Sequence, residues 1–190
     1  MPDFLLLIAA LALGGAGGQK APGACTYRGT AAELATRVSP LDSAQIRLAG
    51  ATIKLCYGRP SVRGRQVMDS LVPYGVPWRL GANEPTRIFL PFAAAIAGVP
   101  VRRGVYSLYV VLRPDEWEVH VNRSVDRWGI PIDSVVTHKD VGKGTVPVES
   151  LSQPEEKLTL HFESTGSRAT ELVVEWEKTR IRIPIRKTGS

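Results

Sequence analysis

Apolar and polar residues alternate with a period of two along most of the chain after residue 44. Such alternation is typical of a β-strand that has one buried and one solvent-facing side. Glycine or proline interrupts the pattern about every eight to twelve residues, a spacing that indicates an all-β sandwich. The pattern predicts an antiparallel, jelly-roll-like β-sandwich that carries a long motif-bearing loop and at most one or two short helices.

The first two predicted strands form a hairpin, because 46–48 and 53–57 flank the turn signal Ala49-Gly50-Ala51. Helix is predicted at 31–38 and as one turn near 66–71. The other predicted strands are 87–92, 105–112, 117–122, 158–163, 171–177 and 180–186, with a further short strand within 93–101.

The last two predicted strands are expected to fold back on each other about Lys178-Thr179. This hairpin would place Trp176 opposite Ile181 on a continuous apolar face. The other face would set Glu175 opposite Arg182, an opposite-charge pair that contributes about 0.2–1 kcal/mol.

Residues 4–13 form an apolar run that is short for a bilayer span and is followed by small residues, as in a cleaved signal peptide. We predict a signal peptide at 1–24, an N-terminal extension at 25–43 and a single β-sandwich domain at 44–190. The mature chain would then be periplasmic or secreted and would have no transmembrane span.

Two cysteines, Cys25 and Cys56, are present in the chain. An oxidising compartment would allow a disulfide between them, and two unpaired cysteines are the alternative. Lipid attachment at Cys25 is disfavoured, because the preceding Pro22-Gly23-Ala24 lacks the usual leucine of a lipobox.

The net charge of +6 comes from one region, since 54–103 holds eight basic side chains against Asp69 and Glu84. The rest of the chain is balanced in charge, as in an ordinary soluble scaffold. Within the basic region, 57–86 has little helical or strand periodicity. We predict that the segment 57–86 serves either to form a particular loop structure or to form a functional site.

Four arginines of this region are candidates for an anion site. Arginine is a planar donor fork that suits carboxylate or phosphate, so convergence of the four side chains would bind an anion. The alternative is internal ion pairing, with Glu84 as the first acidic partner. The four residues are Arg59, Arg63, Arg65 and Arg79.

Aromatic and polar residues of the same loop complete the predicted ligand site. Trp78 is either a stacking platform for a sugar or base or, more often for a tryptophan, a cap on the core. Asn83 and Glu84 are pocket candidates, and Glu84 could act as acid, base or metal ligand. The alternative is a turn-closing asparagine beside a glutamate that is paired with an arginine. Tyr57 and Ser61 are further candidates for orienting the ligand.

The three histidines His120, His138 and His161 lack the spacing of a metal site. We predict no metal and no other cofactor. His120 shares a strand face with Glu118 and Asn122, and that face is either solvent-exposed or a concave site.

Several other classes of function are disfavoured by the motifs. The sequence has neither a phosphate-binding loop nor a nucleophile elbow. Nucleic-acid binding is disfavoured because the basic region lies on a chain predicted to be exported and carries no recognition motif.

Long motifs occur along the chain and are specific enough to be compared with known families. Between residues 46 and 185 the chain resembles the bacterial domain of unknown function family 2911. The resemblance implies an exported, mostly β domain and brings no established activity. Pro85 departs from the family pattern, which usually has a small residue there. The motifs are Tyr57-Gly58-Arg59-Pro60-Ser61, Leu71-Val72-Pro73-Tyr74-Gly75, Trp78-Arg79, Gly81-Ala82-Asn83-Glu84, Gly104-Val105-Tyr106-Ser107-Leu108, Glu116-Trp117 and Ala169-Thr170-Glu171-Leu172-Val173-Val174-Glu175-Trp176-Glu177.

Together these features predict binding of a small anionic or polar ligand, such as a carboxylate, a phosphate or an acidic sugar, in an arginine-lined pocket. One alternative is an envelope hydrolase that uses Glu84 as general acid/base with His120 or Tyr74 nearby. Another is an envelope interaction module in which the motif builds the fold. A buried bidentate pair between Glu84 and an arginine would favour a structural role for the motif, and unpaired arginines around an open pocket would favour binding.

Overall fold

The structure is a computed structural model that describes Gly23 and residues 25–189. The predicted signal peptide, except for Gly23, lies outside these described residues. The first described residues, 25–40, run along the sheet before its first strand, which begins three residues earlier than the predicted domain boundary at 44.

The described chain is mostly antiparallel β-sheet, which confirms the all-β prediction. Its two helices are short: α1, Ala31–Ala35, and α2, Ser134–Thr137. The strands are β1, Leu41–Leu48; β2, Ala51–Gly58; β3, Pro77–Trp78; β4, Thr86–Leu90; β5, Ala94–Ile96; β6, Val99–Val101; β7, Gly104–Leu112; β8, Glu116–Asn122; β9, Asp140–Gly166; and β10, Ala169–Lys187.

The strands are hydrogen-bonded in the order β1-β2-β4-β7-β8-β9-β10-β5-β6, and β3 adds to β7. The long strand β9 connects the two parts of this arrangement, because its first part pairs with β8 and its later part pairs with β10. Apolar side chains from both parts belong to one buried cluster. The fold therefore has a single core.

Three tryptophans from different strands meet in this core. Trp78 of β3 stacks on Trp176 of β10, with ring centroids 5.5 Å apart. The edge of Trp78 also meets Trp117 of β8 at 6.2 Å. Trp78 is buried, so its ring packs within the core instead of offering a stacking surface to a ligand.

The predicted first hairpin is confirmed, with Ile46 opposite Ile53 and Leu48 opposite Ala51. Its turn residues Ala49 and Gly50 both have positive φ, +47° and +81°. This is the backbone of a tight two-residue hairpin turn, in which glycine is favoured.

Helix α1 lies within the predicted helical segment and has a capping box. The Thr30 hydroxyl accepts from the backbone N–H of Glu33, and the Glu33 carboxylate accepts from the backbone N–H of Thr30. The helical turn predicted near 66–71 is a series of turns instead, and α2 was not predicted.

The predicted C-terminal hairpin is wrong. Strand β10 runs without reversal through Lys178-Thr179, and it pairs with β9 on both sides of that point. Glu177 instead forms a β-bulge with φ +53°, and its carboxylate accepts from the backbone N–H groups of Val67 and Met68. Lys178-Thr179 therefore lies beside a bulge whose glutamate binds the 57–86 loop.

The predicted faces of this segment are nevertheless correct. Trp176 and Ile181 are both buried, although they do not face each other. On the other side, Arg180 donates to Glu175 at 2.6 Å, whereas Arg182 pairs with Glu163 and other carboxylates instead of Glu175. The alternation of apolar and polar residues within each part of this segment predicts its buried face correctly, because that face does not depend on which strand lies beside it.

Candidate functional site

A row of residues crosses five neighbouring strands at one level. Cys56 is opposite Arg87, Arg87 is opposite Ser107, Ser107 is opposite Asn122, and Asn122 is opposite Asp140. Residues that are directly opposite on adjacent strands point to the same side of a sheet. The row therefore places four polar side chains and one cysteine on one face.

The segment 25–40 covers one end of this row. Cys25 is joined to Cys56 by a disulfide, with the two Cα atoms 5.8 Å apart. Arg87 donates to the hydroxyl of Thr26 at 3.0 Å. The segment is thus fixed to the sheet by a covalent bond and by a side chain of the row.

The loop 123–139 between β8 and β9 covers the other end. Asn122 donates its side-chain amide to the carbonyl of Val136 at 2.7 Å. Ser107 donates to the carbonyl of Ser124 at 3.1 Å. Ser107 and Asn122 are completely buried, so the middle of this polar row is an interior layer.

A cavity of about 100 Å³ lies between the segment 25–40, the start of β4 and the loop 123–139. Its walls contain three arginines and two acidic side chains. The lining residues are Thr26, Tyr27, Arg28, Glu84, Arg87, Val125, Asp126 and Arg127.

Two larger hollows, of about 430 and 440 Å³, lie at strand ends, one along 113–116 and 145–147 and one along 165–171 and 184–186. Neither is lined by a buried side-chain nitrogen or oxygen that lacks a hydrogen-bond partner among the described residues. Two residues that line the smaller cavity, Arg87 and Arg127, do carry such atoms, and this cavity is therefore the candidate site.

Arg127 contributes the clearest unsatisfied donors of the cavity. Its Nη1 donates to the carbonyls of Trp128 and Gly129, at 2.9 and 2.7 Å. Its Nε and Nη2 are buried and have no hydrogen-bond partner within residues 25–189. Burial lowers the pKa of Arg127, and the like charge of Arg79 acts in the same direction. The side chain remains a cation, because arginine does not lose its proton in proteins.

Arg87 and Arg79 add to the positive charge around Arg127. The Arg87 guanidinium lies over the ring of Tyr27, 5.8 Å from its centroid, and burial raises the pKa of Tyr27 to about 12. The Nε atoms of Arg87 and Arg79 are buried without a partner in the described part of the chain. Burial lowers the pKa of Arg79 as well.

Backbone packing holds Arg79 close to the covering loop. Gly129 lies against Arg79 and the carbonyl of Asn83 so closely that a Cβ atom at 129 would collide with both. The Gly129 N–H donates to that carbonyl at 2.9 Å. A glycine is therefore required where the loop meets the end of the 57–86 segment.

Glu84 lines the cavity, but its two oxygen atoms are occupied. Arg37 donates to both of them, at 2.6 and 2.9 Å, and the backbone N–H of Arg28 donates to one at 2.8 Å. Burial opposes ionisation of Glu84, but these hydrogen bonds outweigh it and hold its pKa below the usual range. Glu84 is thus a fixed counter-ion that anchors the segment 25–40.

Next to the cavity, Asp140 accepts three hydrogen bonds. The donors are the Tyr109 hydroxyl at 2.6 Å, the Asn122 amide at 2.7 Å and His120 Nδ1 at 3.1 Å. The rings of Tyr109 and His120 are stacked 4.3 Å apart. Burial and the hydrogen bond to Asp140 raise the pKa of Tyr109. With Nδ1 donating to Asp140, His120 Nε2 is buried, and Glu118 lies 3.7 Å from it.

The structure does not bring the four predicted arginines together. Arg59 donates to the carbonyl of Leu158 at 3.1 Å and to the hydroxyl of Thr159 at 2.9 Å. Arg63 donates to a backbone carbonyl of the segment 25–40, and Arg65 donates to carbonyls of its own loop. Of the four, Arg79 alone lies in the cluster around the cavity.

The other predicted ligand-binding residues also have internal partners. The Tyr57 hydroxyl donates to Asp42 at 3.1 Å and accepts from the N–H of Leu160 at 3.2 Å, and burial raises the Tyr57 pKa to about 12. Ser61 forms a β-bridge with Lys157. Asn83 donates to the carbonyl of Ser39 at 3.1 Å.

Sequence reasoning missed Arg28 and Arg127, which lie outside the basic region 54–103, and Arg87, which lies inside that region but outside the 57–86 loop. A signal was nevertheless available for part of the site. If the predicted strands 105–112 and 117–122 are paired as a hairpin, Ser107 faces Asn122 and Tyr109 faces His120, as the structure has them. Four polar or aromatic residues on one face would then have indicated a covered polar layer.

Among the described residues, no three His, Cys, Asp or Glu side chains are grouped so as to hold a metal ion. Within the same part of the chain, neither helix has the length and apolar character needed to cross a membrane.

The fold and the site define an all-β protein with an arginine-lined cavity between its N-terminal segment and the β8–β9 loop. The chain belongs to the family of proteins of unknown function DUF2911, whose sequence profile matches residues 39–185. This confirms the resemblance found in the motifs. Glu84, Arg87 and Arg127 lie inside the matched region, and Arg28 and Arg37 precede it. No curated protein and no solved structure significantly matches the chain.

Proposed function

We propose that the protein binds a small anion, a carboxylate or a phosphate group, in the cavity lined by Arg28, Arg87 and Arg127. One observation carries this proposal: two of the arginines that line the cavity, Arg87 and Arg127, have buried side-chain nitrogens, Nε of both and Nη2 of Arg127, without an acceptor among the described residues. A buried charged donor without an acceptor is costly. An anion in the cavity would supply the missing acceptor.

The acidic residues of the cavity do not supply that acceptor. Glu84 is held by Arg37 and by the Arg28 backbone. Asp126 pairs with Arg28 at 3.0 Å, but its side chain is 92% exposed, so this pair is at the surface. The guanidinium fork of arginine suits carboxylate and phosphate oxygens. A ligand oxygen therefore fits Arg127 better than either carboxylate of the wall.

We also propose that the protein is exported. The apolar run at 4–13 is typical of a signal peptide, and a disulfide between Cys25 and Cys56 is typical of an oxidising compartment. A cysteine whose sulfur is bonded to another cysteine has no thiol left for lipid attachment. The disulfide thus supports a periplasmic or secreted protein over a lipoprotein anchored at Cys25.

The hydrolase alternative has weaker support. Glu84 has a lowered pKa, so it is a poor proton donor near neutral pH. Within the described residues its hydrogen-bond partners are Arg37 and the Arg28 backbone, whereas those of His120 lie in the Asp140 network. In the interaction-module alternative, the cavity would be structural and would not respond to anions.

A thermal unfolding screen of the purified protein tests the proposal. Phosphate, sulfate, acetate and citrate are titrated at constant ionic strength, with chloride as the reference. A specific anion stabilises by about 2.7 kcal/mol at a hundredfold excess over its dissociation constant. Arg127→Met should remove this stabilisation, and the exposed Arg65→Met should keep it. An equal response of both variants, or none in the native protein, would refute the proposal.

A further inference from the structure

We infer that the anion carries a flat ring, and that this ring stacks on Trp128 at the edge of the cavity. The ligand class is thus an aromatic or planar heterocyclic phosphate or carboxylate, with its anionic group inside and its ring outside. This inference rests on the proposed function, because it concerns the same cavity.

The exposure of Trp128 is the first observation. Trp128 is 45% exposed, whereas Trp78, Trp117 and Trp176 are buried in the core. Ile130, two residues further along the same loop, is 50% exposed. A large aromatic surface in water beside a polar site is typical of a binding position, since tryptophan offers a wide flat face for stacking.

The position of Trp128 is the second observation. The Arg37 guanidinium lies 5.9 Å from the centroid of the Trp128 ring. The same guanidinium contacts Glu84 and the carbonyl of Arg28, and both of these residues line the cavity. One guanidinium group therefore separates the Trp128 ring from the cavity wall.

The position of Trp128 next to Arg127 in the chain is the third observation that places Trp128 near the cavity. Trp128 directly follows Arg127, whose Nη1 donates to the carbonyl of Trp128 at 2.9 Å. The arginine that lines the cavity and has donors without a partner among the described residues is thus hydrogen-bonded to the backbone that carries the exposed ring. A ligand held by Arg127 would lie beside the chain segment that carries the Trp128 ring.

Because the cavity is small, only the anionic group of the ligand fits inside it and the ring stays outside. About 100 Å³ accommodates a phosphate or carboxylate group, but a ring attached to it must extend beyond the walls. Outside, the ring meets Trp128, one face of which is covered by the Arg37 guanidinium. Stacking on the other face of Trp128 favours a flat ring over a puckered or aliphatic group, because an aromatic face needs parallel contact.

The test compares inorganic phosphate, phenyl phosphate and cyclohexyl phosphate by calorimetric titration of the full protein. Phenyl phosphate should bind about two- to tenfold more tightly than inorganic phosphate, the gain expected from one aromatic stacking contact. Cyclohexyl phosphate should gain less. If the screen selects carboxylates, acetate, benzoate and cyclohexanecarboxylate replace the three phosphates.

Trp128→Ala is the decisive variant. It should reduce the preference for phenyl phosphate to about one while the affinity for inorganic phosphate changes less than about twofold. Val135→Ala, at another exposed apolar residue of the same loop, is the matched control and should keep the preference. Phenyl phosphate should also quench tryptophan fluorescence in the native protein, and Trp128→Ala should lose this quenching.

The outcomes separate the two proposals. Binding of phosphate with the same phenyl preference in native protein and Trp128→Ala would overturn the ring inference and leave anion binding intact. Equal affinity for all three phosphates in the native protein would do the same. Failure of every phosphate and carboxylate to bind would overturn both.

Discussion

Arg37 holds Glu84 through both carboxylate oxygens across 47 positions of the chain. The two side chains are 13% and 6% exposed, so the pair is almost removed from solvent. This bond attaches the segment 25–40 to the start of β4 and forms one wall of the cavity. An acidic residue of the predicted binding motif thus fixes a neighbouring segment, while arginines outside the motif face the cavity.

The first prediction concerns this pair. Glu84→Gln should lower the free energy of unfolding by about 3–5 kcal/mol, because it leaves the Arg37 charge buried without a counter-ion. The matched control is Asp126→Asn, whose pair with Arg28 is exposed and should contribute less than about 1 kcal/mol. Urea unfolding of both variants measures the contrast. Similar losses for the two variants would show that Glu84 and Arg37 are not paired in a buried site.

The second prediction concerns the acid stability of the protein. Hydrogen bonds from Lys143 and Arg113 lower the pKa of Glu118 from 4.5 to about 2. A carboxyl group whose pKa is lower in the folded than in the unfolded state contributes stability above the unfolded pKa. That contribution should be lost as the pH falls from about 4.5 towards 2.

Urea midpoints measured between pH 6 and pH 2 would test this. Glu118→Gln should flatten the decline below pH 4.5. Glu116→Gln, two positions earlier on the same strand at an exposed site with no ion-pair partner in the described residues, should leave the decline unchanged. An identical acid profile for the native protein and Glu118→Gln would contradict the assignment.

The third prediction concerns the polar layer beneath the β8–β9 loop. Asp140→Ala removes the acceptor of Tyr109, His120 and Asn122 at once. Each buried donor left without a partner costs about 1–3 kcal/mol, so the loss should be about 3 kcal/mol or more. Tyr109→Phe removes a donor and leaves Asp140 with two others, so about 1 kcal/mol should be lost.

Denaturant unfolding of the two variants compares these losses, and hydrogen exchange of 123–139 reports on the loop itself. Asp140→Ala should accelerate exchange of the loop, because Asn122 then loses one of the bonds that hold it under Val136. Equal and small losses in both variants would mean that the layer is hydrated and does not hold the loop.

The local features of the fold could be predicted from the sequence, because they depend on neighbouring residues. The first hairpin follows from Ala49-Gly50, whose positive φ values make the turn. Burial of Trp176 and of Ile181 follows from the period of two within each part of β10, before and after the bulge at Glu177. Neither feature requires knowledge of which strand lies beside which.

The long-range pairings could not be predicted in the same way. Strand β10 pairs with β9, and Arg59 donates to a carbonyl 99 positions away. Nothing in the residues near Lys178-Thr179 distinguishes a bulge from a turn, since both favour a polar stretch. Equally, the spacing of Arg59, Arg63 and Arg65 did not determine where their side chains point, because Arg63 has φ +52° and reverses the chain locally.

The cavity itself was hidden for the same reason. Arg28, Arg87 and Arg127 come from three separate segments, so no sequence window contains more than one of them. The excess of positive charge in 54–103 favoured Arg59, Arg63 and Arg65 as site residues, but their side chains donate to backbone carbonyls. A class of ligand could be predicted from the excess of arginine, but the residues that face it depend on how the two covering segments close over the sheet.

The last prediction distinguishes the bent strand from the hairpin that the sequence favours. The Glu177 carboxylate accepts from the N–H groups of Val67 and Met68, at 3.2 and 3.3 Å. Glu177→Ala should cost about 2 kcal/mol or more, because two partly buried N–H groups lose their acceptor. Glu175→Ala should cost less than Glu177→Ala, because Arg180 is partly exposed and keeps Glu149 as a second partner at 3.8 Å.

Denaturant unfolding measures the difference between Glu177→Ala and Glu175→Ala, and hydrogen exchange localises it. Glu177→Ala should accelerate exchange at 67 and 68, whereas Glu175→Ala should not. Glu177→Gln keeps one acceptor oxygen and should lie between the native protein and Glu177→Ala. In a hairpin about Lys178-Thr179, both glutamates would lie on a solvated face and both alanine variants would be equally mild. Equal, small losses would therefore favour the hairpin over the bulge.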